Sequence, residues 1–351
     1  MFNTRSSKPI LTCVLLEARG DRLVVTANNL DRFISLSIDL VQVEQEGRVL
    51  LSGNKLRDVV RSSESDTLTI KVNKDEQATI LSSDSRYALY TQPAEDFPLP
   101  KEDEAETTTV QFEAQALHEM LASVSFAVAR EATRYAFNGA MLEMTDSASR
   151  CVATDGRRLA ACKGPGVDGA GTAKKPTKPI LPLSFIKLFE KAVPKDGRVT
   201  LKVKASHVMA EASGVTIGSL LVEGQFPPVD DVIPKEASTT ITAGLGDLLS
   251  AVRRGGLLTT EESKGVRMEC TKDGLVIRSR SAESGEAEVR FACRVEGPDL
   301  TIGFNPAFIA DLARSGVKAD EITLGMTAPN RPGLFKLGDN FLYVLMPVSL
   351  V

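Results

Sequence analysis

The sequence predicts an α+β fold in which one module of strands and helices occurs three times along a chain of 351 residues. Two recurring patterns support this prediction. The first is a hairpin pattern, in which two strands with alternating apolar residues flank a turn marked by Gly, Asp or Ser. The second is an amphipathic helical pattern that follows each hairpin and begins at a Ser, Asn or Pro. Because both patterns recur in the same order, we predict three copies of one domain type.

The elements follow one order in every copy. The hairpins lie at 11–29, 137–156 and 264–281. The helical segments lie at 52–62, 182–191 and 305–314. A further alternating strand follows each helix, at 66–72, 197–203 and 320–326. Copies two and three also open with a strand and a helix, at 108–128 and 239–254, whereas copy one has no such opening and is expected to lack that strand and helix.

Two acidic segments that contain prolines separate the copies. They read EDFPLPKEDEAE (95–106) and EGQFPPVDDVIPKEAS (223–238). Such composition is typical of linkers between domains. We therefore predict three domains, at 1–103, 104–235 and 236–351.

The composition is that of an ordinary globular protein and excludes several classes. Hydrophobic residues make up 42% and charged residues 25%, and the net charge is -4, which argues against a basic coat over the whole surface. Two histidines and five cysteines without a C-x-x-C pair favour a reduced compartment and no zinc site. There is neither an apolar run of membrane-helix length nor a secretory signal, so we expect a cytoplasmic location.

Basic residues recur at comparable places on the predicted helices. Arg57 and Arg61 are four residues apart, as are Lys187 and Lys191, so each pair shares one helix face. Arg253 and Arg254 end the first helix of copy three, and Arg314 ends its second. One interpretation is a set of solvated helix faces. The other is a basic stripe that binds nucleic-acid phosphates without reading sequence.

Motifs that would indicate catalysis are missing from the sequence. No P-loop, dinucleotide-binding, nucleophile-elbow or H-E-x-x-H motif is present. The candidate that stands out is Asp155-Gly156 within ATDGRRLA (153–160), which fits either a tight turn at the end of a strand or a phosphate- or metal-binding turn.

Several segments resemble the bacterial sliding clamp, the beta subunit of the replicative DNA polymerase. ATDGRRLA (153–160), preceded by TRYAFNGAMLE (133–143), is similar to the middle domain of that family. The family pattern also fits KPIL (8–11), GFNPAFIADL (303–312) and the closing LMPVSL (345–350). The similarity runs in order along essentially the whole chain.

This resemblance implies a non-enzymatic processivity factor without a cofactor or metal. Two chains would form a head-to-tail homodimeric ring of six domains around duplex DNA, with helices lining the hole and sheets outside. A closed ring made by two different ends of the protomer fits the threefold repeat. The implied partners are the replicative DNA polymerase, the clamp loader, and other polymerases and repair proteins.

The resemblance also implies a pocket between the second and third domains for an extended peptide of the form Q-L-x-L-F. An apolar cleft suits the Leu and Phe anchors, and Met side chains can adapt to different partners. The residues expected to line the pocket are Phe137, Thr154, Gly156, Arg158, Leu159, Pro227, Val232, Phe308, Val344, Met346, Pro347 and Val348.

Two further surfaces follow from the resemblance. For DNA, it adds Arg5 and Tyr135 to the helix residues already named and to Arg134, which follows the first helix of copy two. For ring closure, it points to Leu257 and Leu258 meeting a surface near Tyr87 of the second protomer. Apolar residues in the otherwise polar loop at 255–263 fit such an interface.

Two departures from the family pattern leave alternatives open. The chain ends in Ser349-Leu350-Val351 where the family has an Arg-Leu pair, and copy one lacks its opening strand and helix. The first alternative is therefore a monomeric module that binds the same peptides but no longer closes a ring. Apart from these departures, a further alternative is an enzyme that uses Asp155 and nearby carboxylates, although no base, metal cluster or nucleophile accompanies them in the sequence.

Overall fold

The protein is described from a computed structural model that covers residues 8–39, 41–73, 77–99, 107–130, 135–169, 178–259 and 265–349. Its contacts divide the chain into two compact units. The first unit comprises Met1–Thr109 and Lys191–Leu220, and the second comprises Val110–Glu190 and Leu221–Val351.

Within each copy the predicted hairpin, helix and following strand occur in the predicted order, and further strands lie between and after them. Copy one contains β1 (Cys13–Arg19), β2 (Arg22–Asn28), β3 (Arg32–Ile38), β4 (Gly47–Ser52), α1 (Gly53–Ser62), β5 (Thr69–Val72), β6 (Gln77–Leu81) and β7 (Arg86–Gln92). Copy two contains β8 (Thr108–Glu113), α2 (Ala114–Ser125), β9 (Gly139–Met144), β10 (Ala148–Thr154), β11 (Arg158–Pro165), β12 (Ile180–Pro182), α3 (Leu183–Ala192), β13 (Arg198–Val203), β14 (His207–Ala212) and β15 (Val215–Leu220). Copy three contains β16 (Thr239–Gly244), α4 (Leu245–Gly255), β17 (Val266–Thr271), β18 (Gly274–Ser281), β19 (Gly285–Phe291), β20 (Arg294–Glu296), β21 (Leu300–Phe304), α5 (Pro306–Ala310), β22 (Glu321–Met326), β23 (Gly333–Leu337) and β24 (Phe341–Leu345).

The three predicted hairpins are confirmed. They are the antiparallel pairs β1–β2, β9–β10 and β17–β18. The predicted helices are present too, but the third-copy helix at 305–314 is divided. Asn305 caps α5 by accepting a hydrogen bond from the Ala307 amide at 3.0 Å, and the chain then tightens into a 3-10 turn over Asp311–Ser315.

In the first unit, ten strands of one antiparallel sheet follow the order β5-β6-β7-β4-β1-β2-β3-β15-β14-β13. The sheet passes from copy one to copy two where β3 pairs with β15, and Phe33 lies opposite Gly218. A Cβ at Gly218 would come within 2.2 Å of the Phe33 ring. Glycine therefore permits the close approach of the aromatic side chain at this junction.

In the second unit, strands of copies two and three share a sheet in the order β12-β9-β10-β11-β24-β23-β22-β16-β20. A separate sheet has the order β19-β18-β17-β21. Phe185, Phe189, Phe304, Phe335 and Tyr343 are among the largest fully buried side chains of the chain. The pairing of β11 with β24 brings the end of the chain against the middle copy, and this pairing positions the candidate site.

No helix in the described part of the chain is both long and apolar enough to cross a membrane.

Candidate functional site

The Asp155-Gly156 motif forms a tight turn between β10 and β11. The carboxylate oxygen Oδ1 of Asp155 accepts hydrogen bonds from the amides of Arg157 and Arg158, at 2.9 and 3.1 Å. Gly156 has φ +85°, a left-handed conformation that favours glycine. The Thr154 hydroxyl donates to the Arg158 carbonyl at 2.6 Å and closes the turn. The turn interpretation of this motif is therefore the one that the geometry supports.

Arg158 connects this turn to two other segments. Its side chain is 8% exposed, and its Nε donates to Asp155 Oδ2 at 2.9 Å. One terminal nitrogen binds the Asp311 carboxylate, and the other donates to the Phe126 carbonyl at 3.0 Å. The guanidinium also lies 4.5 Å from the ring centroid of Phe308. A single buried cation thus joins the β10–β11 turn, the end of α2 and the 3-10 turn after α5.

The buried charge is stabilised by its partners. Burial alone would lower the pKa of Arg158, but the hydrogen bond to Asp311 and the charge of Asp155 hold that pKa above its ordinary value. Burial raises the pKa of the neighbouring Tyr343, whose hydroxyl donates to the Phe308 carbonyl at 3.0 Å. Arg158 is therefore charged and Tyr343 neutral at physiological pH, and both help to hold the Phe308 segment.

Next to Arg158 lies an apolar cluster that contains two residues expected in the pocket. Leu159 and Val344 face each other across β11 and β24, and both are almost fully buried. The same cluster includes Val152 and Val229, and Phe226 packs against it. A third expected residue, Phe137, is buried and meets Phe226 edge-on, with 6.4 Å between the ring centroids. These side chains form an apolar base.

The other residues expected in the pocket range from exposed to buried. Met346 is 40% exposed, and its amide donates to the Arg157 carbonyl at 2.9 Å. Val232 is 43% exposed, and Gly156 is exposed in its turn. The half-buried members of the set are Pro227, Phe308, Pro347 and Val348. Thr154 is buried, because its hydroxyl belongs to the turn.

The cations expected to contact DNA are exposed wherever the structure describes them. They lie on α1 (Arg57, Arg61), α3 (Lys187, Lys191), α4 (Arg253, Arg254) and the 3-10 turn after α5 (Arg314). Arg57 is paired with its neighbour Asp58 at 2.8 Å, and Arg314 with Asp311 at 3.1 Å. Arg5 and Arg134 are outside the described residues. Tyr135 begins the 3-10 turn Tyr135–Asn138.

The residues expected at the ring interface differ in exposure. Leu257, just after α4, is 74% exposed, and Leu258 is half-buried. Tyr87 is half-buried on β7, opposite Ile80 of β6. A leucine as exposed as Leu257 is the kind of surface residue that a protein interface covers.

The described residues contain no group of three or more His, Cys, Asp or Glu side chains arranged to hold a metal ion.

Three family models of the DNA polymerase III beta subunit match the chain in sequence order. The N-terminal domain model matches residues 1–101, the central domain model matches 111–228, and the C-terminal domain model matches 230–349. Together they account for nearly the whole chain. The chain belongs to the DNA polymerase III beta subunit family. Members of this family are processivity factors and not enzymes, so the class of function is non-catalytic.

Curated relatives in this family are beta sliding clamps. Those of Pseudomonas putida and Vibrio cholerae are each 29% identical over 352 residues, covering 99% of this chain and 94% of the relative. A crystal structure of the sliding clamp of Pseudomonas aeruginosa bound to griselimycin matches with a TM-score of 0.91 at 27% identity. The match covers 99% of this chain and 94% of the Pseudomonas aeruginosa chain. The threefold α+β repeat predicted from the sequence and the clamp fold implied by the resemblance are thereby confirmed.

Three residues that hold this region of the chain together were not predicted from the sequence. Asp311 lies within GFNPAFIADL, a stretch that carries the family resemblance, but its pairing with Arg158 spans 153 residues. Phe226 precedes the expected Pro227 and could have been included as an apolar neighbour in the same linker. Arg150 carried no signal in the sequence, because its partner is 80 residues away.

Proposed function

We propose that two copies of this chain close head-to-tail into a ring around duplex DNA, with domains at 1–103, 104–235 and 236–351. The exposed cations at corresponding places on α1, α3 and the 3-10 turn after α5, together with Arg253 and Arg254 at the end of α4, support a sequence-independent contact with phosphates. The net charge is -4, so the basic helices would attract the DNA phosphates while the rest of the surface repels them. Such a contact would be loose enough for the ring to slide along the DNA. The ring would act in the cytoplasm and tether the replicative polymerase, the clamp loader, and other polymerases and repair proteins.

The tether in this proposal is a pocket beside Leu159 that binds Q-L-x-L-F peptides in extended form. The observation that carries the proposal is an apolar base that includes Leu159, Val344 and Val229, with exposed apolar side chains close by in the chain. Met346 follows Val344 by two residues, and the Val232 amide donates to the Val229 carbonyl. Burying the Leu and Phe anchors of a peptide would contribute roughly 1.5–3 kcal/mol for each side chain. An extended segment with alternate apolar anchors suits this arrangement.

Fluorescence anisotropy with a labelled Q-L-x-L-F peptide tests the pocket. Met346→Asp and Leu159→Asp should each abolish binding, because a carboxylate would be desolvated against the peptide anchors. Leu30→Asp is the matched control, since Leu30 is an exposed leucine in the other compact unit. If Met346→Asp, a surface change that leaves the base intact, binds as the wild type does, the proposed pocket is wrong.

The ring is tested separately, because a monomeric peptide-binding module is the alternative. Light scattering over a dilution series should give a mass near twice 37.7 kDa. Leu257→Asp should shift the mass towards 37.7 kDa without loss of peptide binding. After treatment with a clamp loader, the wild type should stay on circular DNA and leave linear DNA. A wild-type chain that is monomeric and equally retained on both DNA forms would favour the alternative.

A further inference from the structure

Arg150, a residue outside the expected pocket set, connects β10 to the linker at 223–238. Its Nη1 lies 2.6 Å from Asp230 Oδ1, and its Nη2 lies 3.3 Å from Asp230 Oδ2. A two-pronged contact of this kind fixes orientation as well as distance. The two residues are 80 positions apart in the chain, so this contact exists only in the folded protein.

The guanidinium of Arg150 is held in place by a second carboxylate. Glu143 lies directly opposite Arg150 in the pairing of β9 with β10, and its Oε2 accepts from Arg150 Nε at 2.6 Å. The other oxygen of Glu143 lies 2.7 Å from Lys178 Nζ. Although burial opposes it, hydrogen bonding to Arg150 and Lys178 lowers the pKa of Glu143. Hydrogen bonding to Arg150 likewise lowers the pKa of Asp230. Arg150 is thus oriented by the strand pair and presents its outer edge to the linker.

The linker turn that Arg150 holds carries two apolar residues next to the base of the pocket. Asp230 belongs to a 3-10 turn over Val229–Asp231. Val229 is 3% exposed and packs in the cluster of Leu159 and Val344. The Val232 amide donates to the Val229 carbonyl at 3.1 Å, and residues three apart share one face of a 3-10 turn. Val229 therefore adds to the base, and Val232 continues the same apolar face to the surface.

The start of the linker is held by the backbone. The Val222 amide donates to the Ile180 carbonyl at 3.0 Å, so the chain is fixed to β12 before the linker and by Arg150 eight residues later. Between these points lie Phe226, which packs on the cluster, and Pro227. An ion pair with one exposed partner contributes little to global stability, but it can decide where a linker lies.

We propose that Arg150 is a positioning residue for peptide binding. By holding Asp230, it keeps the linker turn against β10, and Val229 and Val232 then form one wall of the pocket. This inference rests on the proposed peptide pocket. It differs from that proposal in assigning part of the affinity to an ion pair that does not touch the peptide.

The test is a double-mutant cycle with Arg150→Ala and Asp230→Ala, measured by anisotropy with the labelled Q-L-x-L-F peptide. Each single variant should weaken binding about five- to tenfold, and the double variant should lose no more than either one, because both break the same contact. Arg150→Lys should recover part of the affinity, since an ammonium group keeps the charge but not the two-pronged geometry. Lys202→Ala is the control: it removes a 2.7 Å ion pair with Glu211 in the other compact unit and should leave affinity unchanged.

Hydrogen exchange separates positioning from general damage to the fold. In Arg150→Ala and Asp230→Ala, amides of residues 222–233 should exchange faster while those of β11 and β24 keep wild-type protection. Variants that bind as tightly as the wild type overturn the inference but leave the pocket standing. Additive losses in the cycle, or faster exchange throughout the second unit, also overturn it. If the wild type itself binds no peptide, the proposed pocket fails and this inference fails with it.

Discussion

Arg158 and Arg254 are the same chemical group in two opposite environments. Arg158 is buried between Asp155 and Asp311, and its nitrogens are directed at partners from three segments of the chain. Arg254 lies exposed in the last turn of α4, beside Arg253, which is also exposed. A buried guanidinium is fixed by the protein, whereas an exposed one keeps its hydration and mobility. The first suits a structural junction and the second suits a loose contact with DNA phosphates.

The largest loss of stability should come from replacing Arg158, the buried arginine of the two. Arg158→Ala leaves Asp155 and Asp311 without their shared cation, and we expect a loss of about 3–5 kcal/mol in the free energy of unfolding. Urea denaturation followed by circular dichroism measures it. Arg157→Ala is the matched control, because Arg157 is exposed in the same turn, and it should change stability by less than about 0.5 kcal/mol. Equal losses in the free energy of unfolding for both variants would show that burial of Arg158 does not set its contribution to stability.

Removing the exposed cations should change DNA binding and leave stability unchanged. The double variant Arg253→Ala, Arg254→Ala should reduce the slope of log affinity against log salt by up to about 1.8 for duplex DNA, if both side chains contact phosphates. The measurement is a salt titration of DNA binding. Arg280→Ala, which removes an exposed arginine of β18, should leave the slope unchanged. A wild-type slope in the double variant would assign Arg253 and Arg254 to a merely solvated helix face.

Glu143 offers an intermediate case, since it is largely buried but pairs with the half-exposed Lys178 as well as with Arg150. Pairing lowers the folded-state pKa of Glu143, so its stabilising contribution is complete above its unfolded-state pKa. That contribution is lost as the pH falls through the folded-state pKa. Glu143→Gln should therefore cost about 1 kcal/mol at pH 7, and the difference from the wild type should shrink in denaturation curves recorded at progressively lower pH. A difference that is constant down to acid pH would contradict this linkage.

The smallest effect is expected at Arg57, which is exposed but paired with Asp58 at 2.8 Å. Asp58→Asn should change the free energy of unfolding by less than about 0.5 kcal/mol. It should strengthen DNA binding slightly at low salt, because it removes a negative charge beside Arg57. The same DNA titration at low and high salt measures this gain. Weaker binding by the variant would show that Asp58 helps to position Arg57.

The sequence was sufficient for the hairpins and helices of the repeat, and the family resemblance for part of the apolar base of the candidate site. The hairpin at 137–156 and the helix at 182–191 follow from spacing within a dozen or so residues, where side-chain periodicity reflects which face is buried. Leu159, Val344 and Met346 were expected in the pocket because of the family resemblance, since residues distant in the chain can be matched to a shared site only through a related fold. The division of the helix at 305–314 was not predicted, because apolar spacing over ten residues fits an α-helix and does not show where the chain tightens into a 3-10 turn.

The sequence by itself determined the repeat, the order of its hairpins and helices, and the charge of the helix faces, because these depend on residues close together in the chain. Only the tertiary structure decided that Asp155 serves a turn, that Arg158 meets Asp311, and that Arg150 meets Asp230. The physical reason is that a long-range ion pair depends on strand register and on where the connecting segments end. A charged residue has many oppositely charged candidates along the chain, and only the folded geometry selects one.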